Sequence, residues 1–175
     1  TLVMALAVAQ AVRELGLDVG IKWPNDVVIA GKKVCGILTE MSAEPDFIHY
    51  VVIGTGMNVN QEAFPEEIAG TATSLRIEKG ERIARAGLLA SVMAHFESAY
   101  ETFCATWDLS GLAADYESLL LNKDRPVRVL DPKGDFEGTA RGINEKGELL
   151  VERQDGRLEY VYAGEVSVRG VYGYV

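Results

Sequence analysis

The stretch "IKWPNDVVIAGKKVCGIL", residues 21–38, decides the fold. Its apolar residues are interrupted twice, by Pro-Asn-Asp at 24–26 and by Ala-Gly-Lys at 30–32, and both interruptions are turn signals. A strand over 27–29 that is followed by a tight turn and a second strand over 33–40 predicts a β-hairpin. The hairpin would carry a lysine, Lys33, at the start of an apolar strand, and this position needs an explanation.

The remaining sequence up to residue 121 mixes helical and β patterns. A β-rich run, "HYVVIGTGMNVN", follows the hairpin, and Gly16 provides a stop for the first helix. Residues 61–80 show no periodicity, which predicts a long loop of a kind that often has a function. Apolar residues at helical spacing predict helices at about 2–13, 83–103 and 112–121.

The end of the chain has a different pattern. Short apolar stretches such as "PVRVL" and "ELLVERQ" alternate with the turn signals "DPKGD", "NEKGE" and "QDGR". This alternation predicts a small five-stranded barrel that begins near residue 125. We therefore predict two domains, which span residues 1–124 and 125–175.

Composition and charge exclude several classes of function. The chain has 175 residues and a net charge of −9 with scattered basic residues, so no nucleic-acid-binding surface is expected within it. No apolar run reaches the roughly 18–20 residues that span a bilayer, so no membrane partner is expected. Cys35 and Cys104 lie far apart without metal-like spacing, which predicts free thiols and a cytoplasmic location.

Lys33 is the first candidate for a residue that binds a ligand or takes part in catalysis. Regular alternation predicts two faces of the second strand, one with Lys33, Cys35 and Ile37 and the other with Val34, Gly36 and Leu38. Neither face is clearly polar, and a lysine is seldom buried without a partner. A phosphate or carboxylate ligand would satisfy that need. The alternative is a lysine at the end of a strand whose ammonium reaches water.

Glycines and asparagines provide a second signal. Gly36, and also Gly54 with Gly56 in "VVIGTGMNVN", interrupt strands, which indicates bulges or a close approach of a ligand to the backbone. The Gly-x-Gly lacks the third glycine of a dinucleotide fingerprint, so that interpretation is rejected. Asn25 and Asn58 each offer a donor and an acceptor that match an adenine edge, although turn asparagines are common.

Other candidates have simpler explanations. Asp26 could cap the turn, and Lys22 and Trp23 could be strand residues with ordinary packing. His49 and His95 have no readable catalytic partners. The sequence contains none of the Walker A, H-E-x-x-H and G-x-S-x-G motifs, and no metal site is predicted. The residues alone therefore support a soluble α/β domain with an anion or nucleotide site.

The segment "KWPNDVVIAGKKVCGIL", with "VVIGTGMNVN" after it, resembles the central signature of the biotin–protein ligases, the biotin–[acetyl-CoA carboxylase] ligase family. The later "ATSL" at 72–75 and "PVRV…GTARGINEKGELLV" also resemble this family. The resemblance implies an α+β fold, in which a mixed β-sheet with helices forms the catalytic domain and an SH3-like barrel follows it.

The resemblance also implies a reaction. Biotin is activated with ATP and Mg²⁺ to biotinyl-5′-AMP, and biotin is then transferred to a lysine of a biotin carboxyl carrier domain. Lys33 is implied as the catalytic cation, which would stabilise charge in the transition state. The residues implied to bind biotin are Lys33, Gly36 and Gly54. Those implied at the nucleotide are Asn25, Asn58, Lys22 and Asp26. Residues 61–77 resemble the loop that covers the adenylate in this family.

One departure from the family is clear. Its Gly- and Arg-rich loop and its Ser-Thr-Asn biotin segment precede the K-W-P-N-D stretch, and neither is present in this sequence. Because the chain opens on Thr1 in a helical pattern without a cap, we expect it to be part of a longer protein. Whether these residues are active alone is therefore open.

The sequence is compatible with five further alternatives. A lipoate–protein ligase shares the catalytic fold. A biotin-responsive transcriptional repressor would need an N-terminal helix-turn-helix domain upstream. A fragment that binds without turnover and a homodimer through sheet edges are also compatible with the sequence. The barrel either assists nucleotide or carrier binding or is a structural cap, and its candidate phosphate contacts are Arg128, Arg141 and Arg169.

Overall fold

The computed structural model describes residues 1–163 and 167–170 of the chain, and the side chain of Ser167 is not described. Within these ranges the helices are α1 (Leu2–Glu14), α2 (Glu66–Ala69), α3 (Leu75–Lys79), α4 (Arg85–Thr106) and α5 (Ala113–Leu119). The strands are β1 (Val19–Lys22), β2 (Asp26–Ile29), β3 (Lys32–Glu44), β4 (Phe47–Met57), β5 (Pro126–Leu130), β6 (Phe136–Ile143), β7 (Leu149–Glu152), β8 (Leu158–Val161) and β9 (Ser167–Gly170).

The first sheet has the strand order β1-β2-β3-β4, and each neighbouring pair is antiparallel. The predicted turn between β2 and β3 is present, and both Ala30 (φ 49°) and Gly31 (φ 75°) adopt the left-handed conformation that matches strand twist in a two-residue hairpin loop. Parallel pairing among the described residues is limited to two isolated bridges, Ile21 with Leu120 and Lys33 with Ala72.

One face of the first sheet is covered by helices. The apolar helix α1 packs against α4, β1, β2 and α5, and most of its residues are buried. Ile21, Val27, Cys35 and Ile37 meet this helical layer and are almost fully buried. The opposite face of the sheet therefore carries the residues that remain available for ligands.

The predicted faces of β3 are wrong because of a β-bulge. Val28 lies opposite Lys33, and Val27 lies opposite Cys35, so Val34 is an extra residue in the ladder. Val34 and Cys35 are both buried, and the alternation changes phase between them. Lys33 consequently shares its face with Gly36 rather than with Cys35.

The prediction of a long loop over 61–80 is also wrong. This segment contains α2 and α3, and α3 is capped at its start by Ser74, whose side chain accepts a hydrogen bond from the backbone N–H of Ile77 at 3.2 Å. It ends at Gly80, which has a φ of 79° and closes the helix in the left-handed conformation. Both helices are too short to give a clear periodic pattern.

The second sheet has five antiparallel strands in the order β8-β7-β6-β5-β9. Its strands and the turns between them agree with the small SH3-like domain that was predicted, and the α+β fold class is confirmed. The predicted second domain also includes residues 164–166 and 171–175, which lie outside the described residues. The division into domains at 124/125 stays a prediction. Within the described part of the chain, no helix is both long and apolar enough to span a membrane.

Candidate functional site

A row of four residues crosses the open face of the first sheet. Lys22 of β1 pairs with Asp26 of β2, Asp26 pairs with Gly36 of β3, and Gly36 pairs with Gly56 of β4. Directly paired residues of neighbouring strands point to the same face. The row therefore places two charged side chains next to two positions that have no side chain at all.

Lys33 lies over this row. Its Nζ forms an ion pair with Asp26 Oδ1 at 2.6 Å, with the lysine side chain 40% exposed and the aspartate side chain 13% exposed. A Cβ on Gly36 would lie 2.7 Å from Lys33 Cε and 2.8 Å from Nζ, which is closer than real contacts allow. A side chain at position 36 would therefore force the end of the Lys33 side chain to move from its place over the strand.

An open groove of about 460 Å³ begins beside Lys33. The groove is lined by Asn25, Lys33, Gly36, Ile37, Leu38, Gly54, Thr55 and Gly56. A Cβ on Gly54 or Gly56 would make ordinary contacts, at 3.6 Å to the Leu38 carbonyl oxygen and 3.7 Å to the Gly36 carbonyl oxygen. The packing of the chain does not require glycine at these two positions. Their lack of side chains instead leaves bare backbone as the floor of the groove.

The head of the groove is locally positive. Burial lowers the pKa of Lys22, nearby Asp26 raises it, and Arg169 of β9 and Lys33 lower it further. Lys22 is paired with Asp26 across two strands and Lys33 forms an ion pair with it, so two cations lie beside one carboxylate, although the chain as a whole carries a net charge of −9. Such a concentration of positive charge favours an anionic ligand at this end of the groove.

The two predicted asparagines lie in different places. Asn25 lines the groove, and its side chain donates a hydrogen bond to the Ile37 carbonyl at 3.1 Å. Asn58 follows β4, and its side-chain oxygen accepts a hydrogen bond from Gln61 at 3.3 Å, outside the groove lining. The structure therefore brings Asn25, Lys33, Gly36 and Gly54 together and leaves Asn58 to one side.

A contact that the sequence analysis missed fixes the backbone of Lys33. Its N–H donates to the Thr71 carbonyl at 2.8 Å, and its carbonyl accepts from the Thr73 N–H at 3.0 Å. The following residue, Ser74, is buried and donates to the Gln61 carbonyl at 2.6 Å. The "ATSL" segment that carried part of the resemblance is thus attached to the candidate catalytic lysine. The three small hydroxyl residues among 71–74 were the available signal.

Other candidate residues have structural explanations. Arg141 binds Asp124 and Glu152, and Arg128 binds Asp135, whereas Arg169 is one of the charges that lower the pKa of Lys22. Burial raises the pKa of the Cys35 thiol to about 12, which leaves it protonated and unreactive. Among the described residues, no group of three or more His, Cys, Asp or Glu side chains could hold a metal ion.

The fold and the groove define a class of α+β proteins that has a lysine beside a glycine-lined groove in an antiparallel sheet and a small β domain after it. Residues 1–58 match the Biotin/lipoate A/B protein ligase family, and residues 124–169 match the Biotin protein ligase C terminal domain. These two matches cover both sheets of the chain.

Individual relatives agree with these matches. The chain is 40% identical over 171 residues to the Bifunctional ligase/repressor BirA of Bacillus spizizenii, covering 96% of this chain and 52% of that protein. It is 30% identical over 183 residues to the Biotin--[acetyl-CoA-carboxylase] ligase of Paracoccus denitrificans, covering 96% of this chain and 72% of that protein. The solved biotin protein ligase from Aquifex aeolicus in complex with biotin and ATP is 31% identical, with a TM-score of 0.83, covering 97% of this chain and 70% of that one.

The chain belongs to the biotin protein ligase family. It spans about half the length of the Bacillus relative, so the activity of the whole protein is a matter for proposal.

Proposed function

We propose that the chain is part of a biotin–protein ligase that activates biotin with ATP and transfers it to a lysine of a biotin carboxyl carrier domain. The observation that carries this proposal is the position of Lys33. Its ammonium lies at the head of a glycine-floored groove and is held there by Asp26 at 2.6 Å. A cation at the end of a groove with a bare backbone floor suits a ligand with an apolar body and a carboxylate end.

The first step joins two anions. An oxygen of the biotin carboxylate attacks the α-phosphorus of ATP, the bond to the β-phosphate oxygen breaks, and pyrophosphate leaves with the bonding electrons. Lys33 lowers the repulsion between the carboxylate and the phosphate and stabilises the charge that develops at phosphorus. Because its partner Asp26 already orients the side chain, little reorganisation is needed when the ligands arrive.

The second step uses the mixed anhydride. The amine of the carrier lysine attacks the acyl carbon, AMP leaves, and the amine loses a proton, so that an amide forms. This step needs no covalent intermediate with the enzyme. The proposed protein partner is therefore a carrier domain with one exposed lysine, and a homodimer through a sheet edge is proposed alongside it. A cytoplasmic location remains a prediction from the free thiols.

The proposed ligand contacts follow the geometry of the groove. Gly36 and Gly54 would contact biotin, because they present bare backbone along the floor. Lys22, Asn25 and Asp26 would lie toward the nucleotide, where the positive charge is concentrated. Asn58 is proposed at the nucleotide on the resemblance alone. Mg²⁺ would enter as the counter-ion of ATP, that is, as part of the substrate.

The segment 61–77 is proposed to cover the adenylate. Its backbone is bonded to Lys33 through Thr71 and Thr73, so it lies directly beside the reacting groups. A cover at this position would keep water from the anhydride, which hydrolyses readily. The short helices α2 and α3 give this segment internal structure.

Two alternatives have support of their own. A lipoate–protein ligase agrees with the match of residues 1–58, but the match of residues 124–169 to a biotin protein ligase domain favours biotin. A regulatory role agrees with the name of the Bacillus relative, a ligase/repressor. Such a role would require DNA binding, for which the charge of this chain gives no support.

The test is exchange of labelled pyrophosphate into ATP in the presence of biotin. It should be run on this chain and on a chain extended upstream to the length of its relatives. We expect exchange that requires biotin and is not supported by lipoate. Lys33→Ala should lower the exchange rate about 100-fold or more, as the loss of one preorganised charge contact does in other enzymes.

The control is Lys32→Ala, which removes the same side chain one residue earlier and should retain exchange. Absence of biotin-dependent exchange in both chains would refute adenylation. Exchange that survives Lys33→Ala with a normal rate would refute the role of the lysine, and equal exchange with lipoate would favour the alternative ligase.

A further inference from the structure

Trp23 joins the turn beside the groove to the second sheet. Its side chain is 1% exposed, and its indole Nε1–H donates to the carbonyl of Gly147 at 3.0 Å. Its backbone N–H donates to the side-chain Oδ1 of Asn122 at 2.9 Å. Asn122 lies between α5 and β5, and Gly147 lies in the turn between β6 and β7. A residue of the first sheet is therefore held by two acceptors from the C-terminal part of the chain.

The Gly147 carbonyl is a rigid acceptor. The N–H of Gly147 donates to the Asn144 carbonyl at 2.9 Å, and the Asn144 side chain accepts from the N–H groups of Lys146 and Glu148, each at 3.0 Å. The same turn is docked on the first domain, since the N–H of Leu109 donates to the Glu145 carbonyl at 2.8 Å. The position of this acceptor is thus set by the second sheet.

The linker between α5 and β5, residues 120–125, provides the second acceptor for Trp23. The N–H of Leu121 donates to the Ile21 carbonyl at 2.9 Å, and Leu120 forms a parallel bridge with Ile21. Gly20 allows this approach, because a Cβ there would lie 2.4 Å from the Leu121 side chain. The linker therefore runs along β1 like a short added strand and presents Asn122 to Trp23.

After Trp23, the turn is held to strand β3 by two hydrogen bonds between Asn25 and Ile37. The N–H of Ile37 donates to the Asn25 carbonyl at 2.9 Å, and the Asn25 side chain donates to the Ile37 carbonyl at 3.1 Å. Asp26, the partner of Lys33, is the next residue. The turn at 23–26 is thus anchored at one end by the linker and the second sheet and at the other end by β3.

We propose that Trp23 is a positioning residue through which the second sheet sets the geometry of Asn25 and Asp26 beside Lys33. The small domain then contributes to the reaction of the first domain without contacting the reacting atoms. This inference rests on the proposed function, because an effect on turnover requires that the protein adenylates biotin. Its structural part, that the hydrogen bonds of Trp23 stabilise the hydrogen bond between Asn25 and Ile37, can be tested even on an inactive protein.

The test is Trp23→Phe, which removes the indole N–H and keeps an aromatic ring. The chain contains two tryptophans, and the other, Trp107, is 81% exposed, so Trp107→Phe is a matched control. The first readout is hydrogen exchange of the Ile37 amide. We expect exchange about tenfold faster in Trp23→Phe and unchanged in Trp107→Phe. The Trp23 variant keeps only the hydrogen bond to Asn122, which holds the turn less firmly than two hydrogen bonds do.

The second readout is kinetic. Trp23→Phe should raise the KM for ATP about fivefold or more, with a smaller change in kcat and in the KM for biotin. A merely structural role would reduce the folded fraction, which lowers kcat and leaves the KM for ATP unchanged. If Trp23→Phe does not fold, Asn122→Ala is measured in the same way, because it removes the acceptor of the Trp23 backbone N–H.

The outcomes separate the two proposals. An unchanged Ile37 amide exchange rate in the variants refutes the positioning role, whether or not the protein is active. Faster amide exchange with an unchanged KM for ATP refutes the link to the reaction. An inactive wild-type and extended chain refutes the proposed function and with it this catalytic link, but the amide exchange still decides whether Trp23 fixes the turn.

Discussion

Gly54 lies on the floor of the groove, and the packing of the chain does not require a glycine there. A Cβ at this position would make an ordinary contact with the Leu38 carbonyl, so the chain accepts a side chain there. Gly36 is different, because Lys33 occupies the space that its Cβ would need. The absence of a side chain at Gly36 thus leaves space for the end of the Lys33 side chain, and its absence at Gly54 leaves the floor of the groove open.

We predict that Gly54→Val leaves the stability of the chain almost unchanged and weakens biotin binding about tenfold or more. The valine side chain suits an exposed strand but fills the floor of the groove. Thermal unfolding and calorimetric titration with biotin measure the two effects. Gly87→Ala, at a position where a Cβ meets no atom within 4 Å, is the control and should leave binding unchanged. Unchanged biotin affinity in Gly54→Val would remove Gly54 from the site.

Asn25, Lys33, Gly36 and Gly54 were predicted from the sequence and line the groove, but the face of Lys33 was predicted wrongly. The turn at 30–31 and the glycines are local features, so they can be recognised from the residues themselves. The bulge at Val34 is not local, since a valine there looks like any other strand residue. It is defined by the pairing of β2 with β3, and one extra residue reverses the side-chain direction for the rest of the strand.

At the scale of elements, α1 and α4 are joined by a polar contact at their exposed edge as well as by apolar packing. Glu14 at the end of α1 accepts hydrogen bonds from Ser91 at 2.5 Å and from His95 at 2.9 Å, both on α4. Hydrogen bonds from Ser91 and then His95 lower the pKa of Glu14 below its ordinary value of 4.5. The ionised carboxylate is therefore the form that the fold favours.

The pH dependence of this contact follows from the direction of the Glu14 pKa shift. The pKa of Glu14 is lower in the folded chain than its ordinary value of 4.5. Its contribution to stability is therefore complete above pH 4.5 and is lost as the pH falls through the pKa of the folded chain. We predict that Glu14→Gln destabilises the chain at about pH 6 and that the difference from wild type shrinks at about pH 3. Urea unfolding at the two pH values measures it, with Glu97→Gln on α4 as the control. A difference that grows on acidification would contradict the assignment.

The elements themselves were predictable to different degrees. α4 has 22 residues with helical periodicity, and the turns of the second sheet contain Asp-Gly-type signals, so both were recognised. α2 and α3 have four and five residues, which is too short for periodicity to be read. Their segment is held by bonds from Thr71 and Thr73 to Lys33, and such tertiary contacts leave no periodic pattern in the sequence.

At the scale of the whole molecule, the contacts between the two sheets could not be predicted. Trp23 and Gly147 are separated by 124 positions, and an indole N–H has no sequence pattern that names its acceptor. The sequence predicted two domains that follow one another. The structure adds that their buried residues form one continuous hydrophobic cluster and that polar bonds cross between them. The two parts of the chain are therefore packed against each other through apolar contacts and hydrogen bonds.

Glu117 forms another of these crossings. Its Oε1 accepts a hydrogen bond from the backbone N–H of Ile143 in β6 at 3.0 Å, and its Oε2 binds Lys123 of the linker at 2.6 Å. Gly142, with a φ of 137°, leaves room for this carboxylate, because a Cβ there would overlap it. One side chain of α5 thus holds both the linker and the second sheet.

Two substitutions separate these functions of Glu117. Glu117→Gln keeps an acceptor for Ile143 and loses only the ion pair with the partly exposed Lys123, so we expect a cost below about 1 kcal/mol. Glu117→Ala also leaves the Ile143 N–H without its acceptor, so we expect a cost of about 1–3 kcal/mol. Urea unfolding gives both values. If alanine and glutamine cost the same, the bond to Ile143 contributes nothing, and the ion pair alone would account for the docking by Glu117.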